Sequence, residues 1–329
     1  MNKLILSLQQ VSKLDIGSCG GKGAALGELM KIGMPVPEGF VILAQAFERF
    51  LKETDTEAEI RTRWDKINIG DVESIEEASE IIRSLILGGR FPEDLGDEIL
   101  HAFDRLGARY VAVRSSATAE DTKIDSWAGE LETYLNTTKE DLLENIKRCW
   151  ASLYTPRAIF YRFGRKLDHK PIFERQRENG GERGETRILV AVVVQKMIQS
   201  EVSGVCFTVH PVTKDKDQML IEACWGLGEI LVSGQITPDS YVITKRSFRI
   251  LDVNNNPQEK MIISGGEKTQ GVPVPKFKRE KQKLMGAQIG ELAKLCIKIE
   301  DHFKDPQDVE WAFAQGKFHI LQSRPITTL

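Results

Sequence analysis

Asp308-Val309-Glu310-Trp311-Ala312-Phe313, then Gly316, then Phe318-His319-Ile320-Leu321-Gln322-Ser323-Arg324: this stretch decides how the chain is read. Two runs with period-two alternation flank a glycine, so they form a hairpin. Residues two apart on a strand share a face, which sends Asp308 and Glu310 one way and Val309, Trp311 and Phe313 toward the core. A three-residue turn centred on Gly316 puts Glu310 opposite Gln322 and Asp308 opposite Arg324. Directly opposed side chains have Cβ atoms about 4.5–5.5 Å apart. Two carboxylates and an amide oxygen so placed make a hard oxygen site suited to Mg²⁺, which usually keeps waters and substrate phosphates as its other ligands. Arg324 would then hold a phosphate beside the metal. A solvated acidic edge paired to Arg324 has the same sequence, so the hairpin alone does not choose.

Working back from the hairpin, a helix is expected over about residues 281–303. Strands are expected at 202–208, 219–223, 241–244 and 248–252, after an unbroken apolar run at 188–194 of the kind found in a buried strand. Before that run the character is mixed. Residues 44–107 are charged and helical in pattern, broken at Gly88-Gly89 and Phe91-Pro92. A strand at Tyr110–Val113 delivers Arg114-Ser115-Ser116, helices follow over about 139–163, and residues 166–187 are polar and hold three glycines. The fold class is α+β and two-lobed, divided near residue 190 into 1–190 and 191–329.

Two further segments have the residue types that bind anions. Gly20-Gly21-Lys22-Gly23 leads into a helix at Ala24–Ile32 stopped by Gly33. Glycines let backbone amides approach an anion, and a helix N-terminus with a lysine adds positive charge. The pattern fails the GxxxxGK[ST] test, and a structural turn with a solvated lysine explains it equally. Arg114-Ser115-Ser116, at a strand end, offers a guanidinium and two hydroxyls to phosphate oxygens; a structural salt bridge is the plain alternative. Gln195-Lys196-Met197-Ile198, after the buried strand, has the form of a linker that could offer backbone groups to an adenine edge.

Bulk properties exclude some classes. The 329 residues are 41% hydrophobic and 28% charged with net charge −3, which gives no support for a nucleic-acid binder. No stretch approaches the roughly 20 apolar residues of a membrane span, and a cytoplasmic protein is expected. The five cysteines include no CxxC pair, so no zinc or iron–sulfur site is implied; buried reduced thiols are expected, with Cys19 the one at the surface. His101, His169, His210, His302 and His319 stand apart, with no metal cluster and no Ser/His/Asp set.

Taken in order, the motifs resemble the nucleotide-binding domain of the phosphoenolpyruvate synthase, pyruvate phosphate dikinase and rifampin phosphotransferase family, an ATP-grasp fold. They are Gly20-Gly21-Lys22-Gly23-Ala24 with Leu26-Gly27-Glu28-Leu29, Val36-Pro37-Glu38-Gly39-Phe40, Val113-Arg114-Ser115-Ser116-Ala117-Thr118-Ala119-Glu120-Asp121, and Ala128-Gly129. Ser203-Gly204-Val205, Phe207-Thr208, Trp225-Gly226-Leu227-Gly228-Glu229, Pro238-Asp239-Ser240-Tyr241 and Gln322-Ser323-Arg324-Pro325 complete the set. The resemblance implies ATP and Mg²⁺ as cofactors. It implies that Lys22 and Arg114 contact the phosphates and that Gly129 and Thr133 lie in a loop over them. Gln195 and Met197 fall where the family grips adenine. Glu310 and Gln322 match its metal-binding positions with Asp308 close by, and Arg324 matches a phosphate-binding arginine.

Family members use ATP and water and release AMP and phosphate, or use phosphate and release pyrophosphate, the β-phosphoryl going first to a histidine on a separate swivelling domain. None of the five histidines has that domain's context, and the sequence ends just after Ser323-Arg324-Pro325, where the family's linker begins. The expectation is an ATP-binding subunit, inactive without a separate phosphohistidine-bearing partner. As a stand-alone chain it is similar to the ATP-binding subunit of phenylphosphate synthase, whose acceptor is phenol. A split phosphoenolpyruvate synthase acting on pyruvate, a rifampin phosphotransferase domain and a nucleotide sensor without chemistry are the alternatives. The tract at 168–187 is expected to be a solvated loop, with docking of the partner chain as its functional reading.

Overall fold

The computed structural model of the chain describes residues 3–118, 132–164, 189–266 and 268–327. It divides into two compact units, Met1–Ala24 with Gly39–Lys196, and Ala25–Glu38 with Met197–Leu329. The class is α+β.

In chain order the first unit holds β1 (Ile5–Ser7), the start of α1 (Ile16–Lys31), β2 (Gly39–Ile42), α2 (Ala44–Glu53), α3 (Glu57–Trp64), α4 (Val72–Gly88) and α5 (Glu93–Leu106). It continues with β3 (Val111–Ala117), β4 (Thr133–Thr137), α6 (Leu142–Ala151), α7 (Pro156–Gly164) and β5 (Val190–Lys196). Its strands form one antiparallel sheet in the order β1-β2-β5-β3-β4. β5 lies at the centre and is buried on both faces, as its unbroken Val190–Val194 run requires. The helical stretch breaks where the glycines and proline fall: α4 ends at Gly88 and α5 starts after Pro92. The core is aromatic. Phe47 stacks on Trp150 at 5.1 Å between ring centroids, and Phe50 and Phe91 close on the same indole at 5.1 and 5.3 Å. Each such pair contributes about 0.5–1.5 kcal/mol beyond its buried area.

The second unit holds β6 (Val202–Phe207), β7 (Gln218–Trp225), α8 (Glu229–Val232), β8 (Asp239–Thr244), β9 (Ile250–Asn254), β10 (Lys260–Ser264), β11 (Thr269–Pro273), α9 (Gly286–Phe303), β12 (Gln307–Ala314) and β13 (Lys317–Pro325). Six strands form an antiparallel sheet in the order β13-β12-β6-β7-β8-β9, and β10-β11 make a separate hairpin. α9 buries Ile289, Leu292, Ala293, Cys296 and Ile299 and packs against β12. Three contacts tie Ala25–Glu38 to this unit: Lys298 Nζ donates to Ile32 O at 2.9 Å, His302 Nε2 lies 3.1 Å from Glu28 Oε2, and Ile320 N donates to Pro35 O at 2.9 Å. The units therefore do not coincide with a single cut at 190/191.

The motif at 238–241 is a buried anchor. Asp239, 0% exposed, accepts from Tyr241 Oη, Asn256 N, Lys283 N and Lys283 Nζ at 2.7–2.9 Å. This pins the residues before α9, and the helix starts at Gly286 rather than at Lys281.

The closing hairpin has the expected pairs and a different route to them. Asp308 faces Arg324 and Glu310 faces Gln322. The turn, however, is only Gln315-Gly316, both with positive φ (52° and 75°), in keeping with the primed turns that match strand twist. The residue missing from the turn reappears as a β-bulge: Trp311 pairs with Ile320 and Glu310 with Gln322, so Leu321 is extra.

Candidate nucleotide and metal site

In the first unit the glycine loop wraps the end of β3. α1 is broken at Gly20, whose φ of 70° and ψ of 172° are essentially confined to glycine. A Cβ there would lie 2.6 Å from Ser116 C and closer still to its O and Oγ. Ser116 Oγ donates to Cys19 O at 2.9 Å and accepts from Gly23 N at 3.2 Å, clamping the loop on both sides of Lys22. The hydroxyls read as phosphate ligands are thus engaged within the protein: Ser116 holds the loop, and Ser115 Oγ donates to Glu132 O at 2.8 Å.

Arg114 and Ser116 share a face of β3, because they are two residues apart. Arg114 is 8% exposed and stands opposite Thr133 on β4. Gln195, 2% exposed, pairs with Ala112 and so falls on the same face. Lys22 is half-buried, and its charge reaches the Cys149 thiol, whose Sγ points at Val113 O (3.8 Å) and Glu132 O (3.9 Å), the residues flanking Arg114 and Thr133. Lys22, Arg114, Thr133 and Gln195 are therefore gathered in the first unit. Gly129 lies outside the described residues, as does the 168–187 tract.

In the second unit β12 and β13 carry Asp308, Glu310, Gln322 and Arg324 on one face. Arg324 Nε and Nη2 both reach Asp308 Oδ2, at 2.9 and 2.8 Å. Asp308 Oδ1 is buried and has no hydrogen-bond partner among the described residues. Burial above all holds this carboxyl above its usual range; Arg324 opposes the shift, and Glu310 adds to it. A buried carboxylate oxygen with no donor is costly unless something supplies positive charge. The donor set of two carboxylates and an amide is all hard oxygen, so the residues present fit Mg²⁺. The described residues contain no group of three or more His, Cys, Asp or Glu placed to hold a metal, so Gln322 and substrate oxygens would have to complete such a sphere. Met197, half-exposed, is the first residue of this unit after β5 and lies two residues beyond Gln195.

The family described as pyruvate phosphate dikinase, AMP/ATP-binding domain, matches residues 16–329. The chain belongs to this family. It is an ATP-binding domain of dikinase type, within a phosphotransferase family. It is 41% identical to a probable phosphoenolpyruvate synthase of Methanocaldococcus jannaschii over 99% of the chain and 27% of that protein. It is 43% identical to a probable phosphoenolpyruvate synthase of Archaeoglobus fulgidus, covering 42% of it, and 37% identical to a rifampicin phosphotransferase of Streptomyces sp., covering 36%. The ATP-binding domain thus spans less than half the length of these relatives. Among the described residues no helix is long and apolar enough to cross a membrane.

Two features of the dikinase domain differ from what its sequence suggests. Cys19 is fully buried, and burial and the Asp15 charge push its thiol up to about 12, so it is not a surface nucleophile. Glu222 was not a candidate, although alternation along Met219-Leu220-Ile221-Glu222-Ala223 signals it: Met219, Ile221 and Ala223 are 0% exposed, and Glu222 points the other way. That is the face carrying Glu310, to which it is linked through Val205.

Proposed function

We propose that this domain, of ATP-grasp type, binds Mg·ATP and primes its β-phosphoryl for transfer to a histidine borne by a further domain or a partner chain, with water accepting the γ-phosphoryl, leaving AMP and phosphate. The observation that carries the reading is the hairpin register, with Glu310 over Gln322 and Asp308 over Arg324. Glu310 and Gln322, with Asp308 beside them, would hold Mg²⁺, which when bound offsets charge on the phosphate oxygens. Arg324, fixed against Asp308, offers its remaining donors to a phosphate. Lys22 and Arg114 neutralise charge as the phosphoryl group moves, with Gly129 and Thr133 over the phosphates; Gln195 and Met197 grip adenine. Each of these side chains acts by position and charge, and no covalent nucleophile is assigned to the chain.

Pyruvate is proposed as the final acceptor in preference to phenol or rifampicin. The archaeal relatives at 41–43% identity are named for phosphoenolpyruvate synthesis, whereas no observation on this chain favours phenol. The test is ³¹P NMR of Mg·ATP with the chain alone and with added histidine-bearing domain from an archaeal phosphoenolpyruvate synthase. AMP and phosphate formed only with that domain, and lost in Glu310→Ala, support the proposal. ADP from the chain alone would overturn it, and a Glu310→Ala variant that changes ATP binding without any chemistry in the wild type would leave a nucleotide sensor.

A further inference from the structure

β13 is the outermost strand of its sheet and pairs with β12. The bulge at Leu321 splits that ladder into two stretches, one leading to the turn and one holding residues 322–325. A bulge absorbs one extra residue, so the turn by itself does not set the register of Gln322 and Arg324.

A side-chain lock for the outer stretch lies on its other face. Side chains alternate along a strand, so Ser323 points away from the site while its chain neighbours Gln322 and Arg324 point into it. Gln307 stands in the same relation to Asp308. Ser323 Oγ donates to Gln307 Oε1 at 2.7 Å, and Gln307 Nε2 donates to Asp305 O and Pro306 O at 3.0 and 3.3 Å. Thr208, just after β6, ties Gln307 to an interior strand. Gln307 N donates to Thr208 Oγ1 at 2.8 Å, and Thr208 N donates to Gln307 O at 2.9 Å. Ser323, Gln307 and Thr208 are 0–1% exposed.

Val309 and Trp311, on the same face of β12, are fully buried and apolar, so this polar network is set into a hydrophobic surface. An apolar pair would fill the space without the desolvation that a buried amide and hydroxyl carry. A satisfied polar pair has a different merit: its hydrogen bond accepts one alignment of the strands, whereas apolar contacts tolerate a slip. We infer that Ser323 and Gln307, backed by Thr208, are positioning residues for the groups on the hairpin's other face. Their hydrogen bond fixes the register that sets Arg324 against Asp308 and Gln322 over Glu310. The inference rests on the Mg·ATP reading proposed above and adds residues that touch neither metal nor nucleotide.

The test compares Ser323→Ala, Gln307→Met and the double variant of the full chain, with the histidine-bearing domain added and AMP detected by ³¹P NMR. Turnover, the Mg²⁺ midpoint and the urea midpoint are read on each. Each single variant leaves a buried polar group unpaired, so its urea midpoint should fall. The double variant replaces both partners by apolar groups and should recover much of that stability. Turnover should nevertheless stay down about 10–100-fold in all three, with the Mg²⁺ midpoint raised, as when partners behind metal ligands are removed. At saturating Mg²⁺ the KM for ATP should stay within about two-fold, because Lys22, Arg114 and Gln195 are untouched. If the single variants do not fold, the double variant carries the comparison. A double variant that regains turnover along with stability overturns the inference, because packing alone then suffices. Single variants that lose stability but keep the wild-type turnover and Mg²⁺ midpoint overturn it as well. Failure of the wild type to form AMP would remove the underlying reading, and the inference with it.

Discussion

Replacing Gly20 by alanine tests whether the glycine loop is held against β3 as described. Two costs arise from separate geometric facts. The backbone at φ 70° and ψ 172° belongs to a region essentially confined to glycine, and forcing another residue into it costs about 1–3 kcal/mol. The new Cβ also meets Ser116, 2.6 Å from C and nearer to O and Oγ, and overpacking against a strand costs about 1–3 kcal/mol more. The expected loss is roughly 2–6 kcal/mol, a large part of the ~5–15 kcal/mol that holds a typical domain folded. Gly17 is the control. It lies in the same helix, a Cβ there has nothing within 4 Å, and Gly17→Ala should be neutral or stabilise by up to about 1 kcal/mol. Urea unfolding of both variants measures the difference. Adding Ser116→Gly to Gly20→Ala removes Oγ but not the backbone O, so rescue should be partial at most. If Gly20→Ala costs no more than Gly17→Ala, the loop does not pack on Ser116 and Lys22 is not positioned by it.

Other outcomes follow from features already described. All five cysteines are buried and Cys19 titrates only at about 12, so the native protein should leave them unmodified by a thiol reagent at pH 8, with reaction on unfolding. Asp239→Ala leaves the buried Lys283 ammonium with the Asn256 carbonyl but without its carboxylate, and should cost about 3–5 kcal/mol, read as a lowered thermal midpoint. Burial holds Glu132 above the ordinary glutamate range, so between the two values the native state keeps a proton that the unfolded state has lost. Stability should fall as pH rises through that window, and Glu132→Gln should remove that part of the slope in urea titrations at stepped pH.

Much of this was legible because the decisive signals were local. Alternation in 308–313 and 318–324 marked the two strands, and a three-residue turn led to the pairs Asp308 with Arg324 and Glu310 with Gln322 only because the shorter turn is offset by the bulge at Leu321, while the apolar run before Gln195 marked a central strand. What escaped depends on contacts distant in sequence. β4 was not read, although Thr133 faces Arg114 only because that strand pairs with β3. Ala25–Glu38 groups with the second unit through Lys298, His302 and Ile320, which no local pattern could indicate. Ser115 and Ser116 have hydroxyls of the right type for phosphate, but backbone groups near in space had already engaged them. Glu222 was missed for a different reason: a single acid in a half-buried strand has no motif, and only its pairing through Val205 places it on the face of Glu310.

The bulge at Leu321 bears on how the hairpin can change length. Ile320 and Gln322 pair with consecutive residues, Trp311 and Glu310, so Leu321 alone has no counterpart on β12. Losing it would turn the bulge into a regular ladder while Gln322 stayed over Glu310 and Arg324 over Asp308. A one-residue gap between Gln322 and Arg324 would instead turn Arg324 away from Asp308. When relatives are aligned, a single gap before Gln322 is therefore absorbed by the bulge, whereas one at position 323 would imply a protein whose arginine had changed faces.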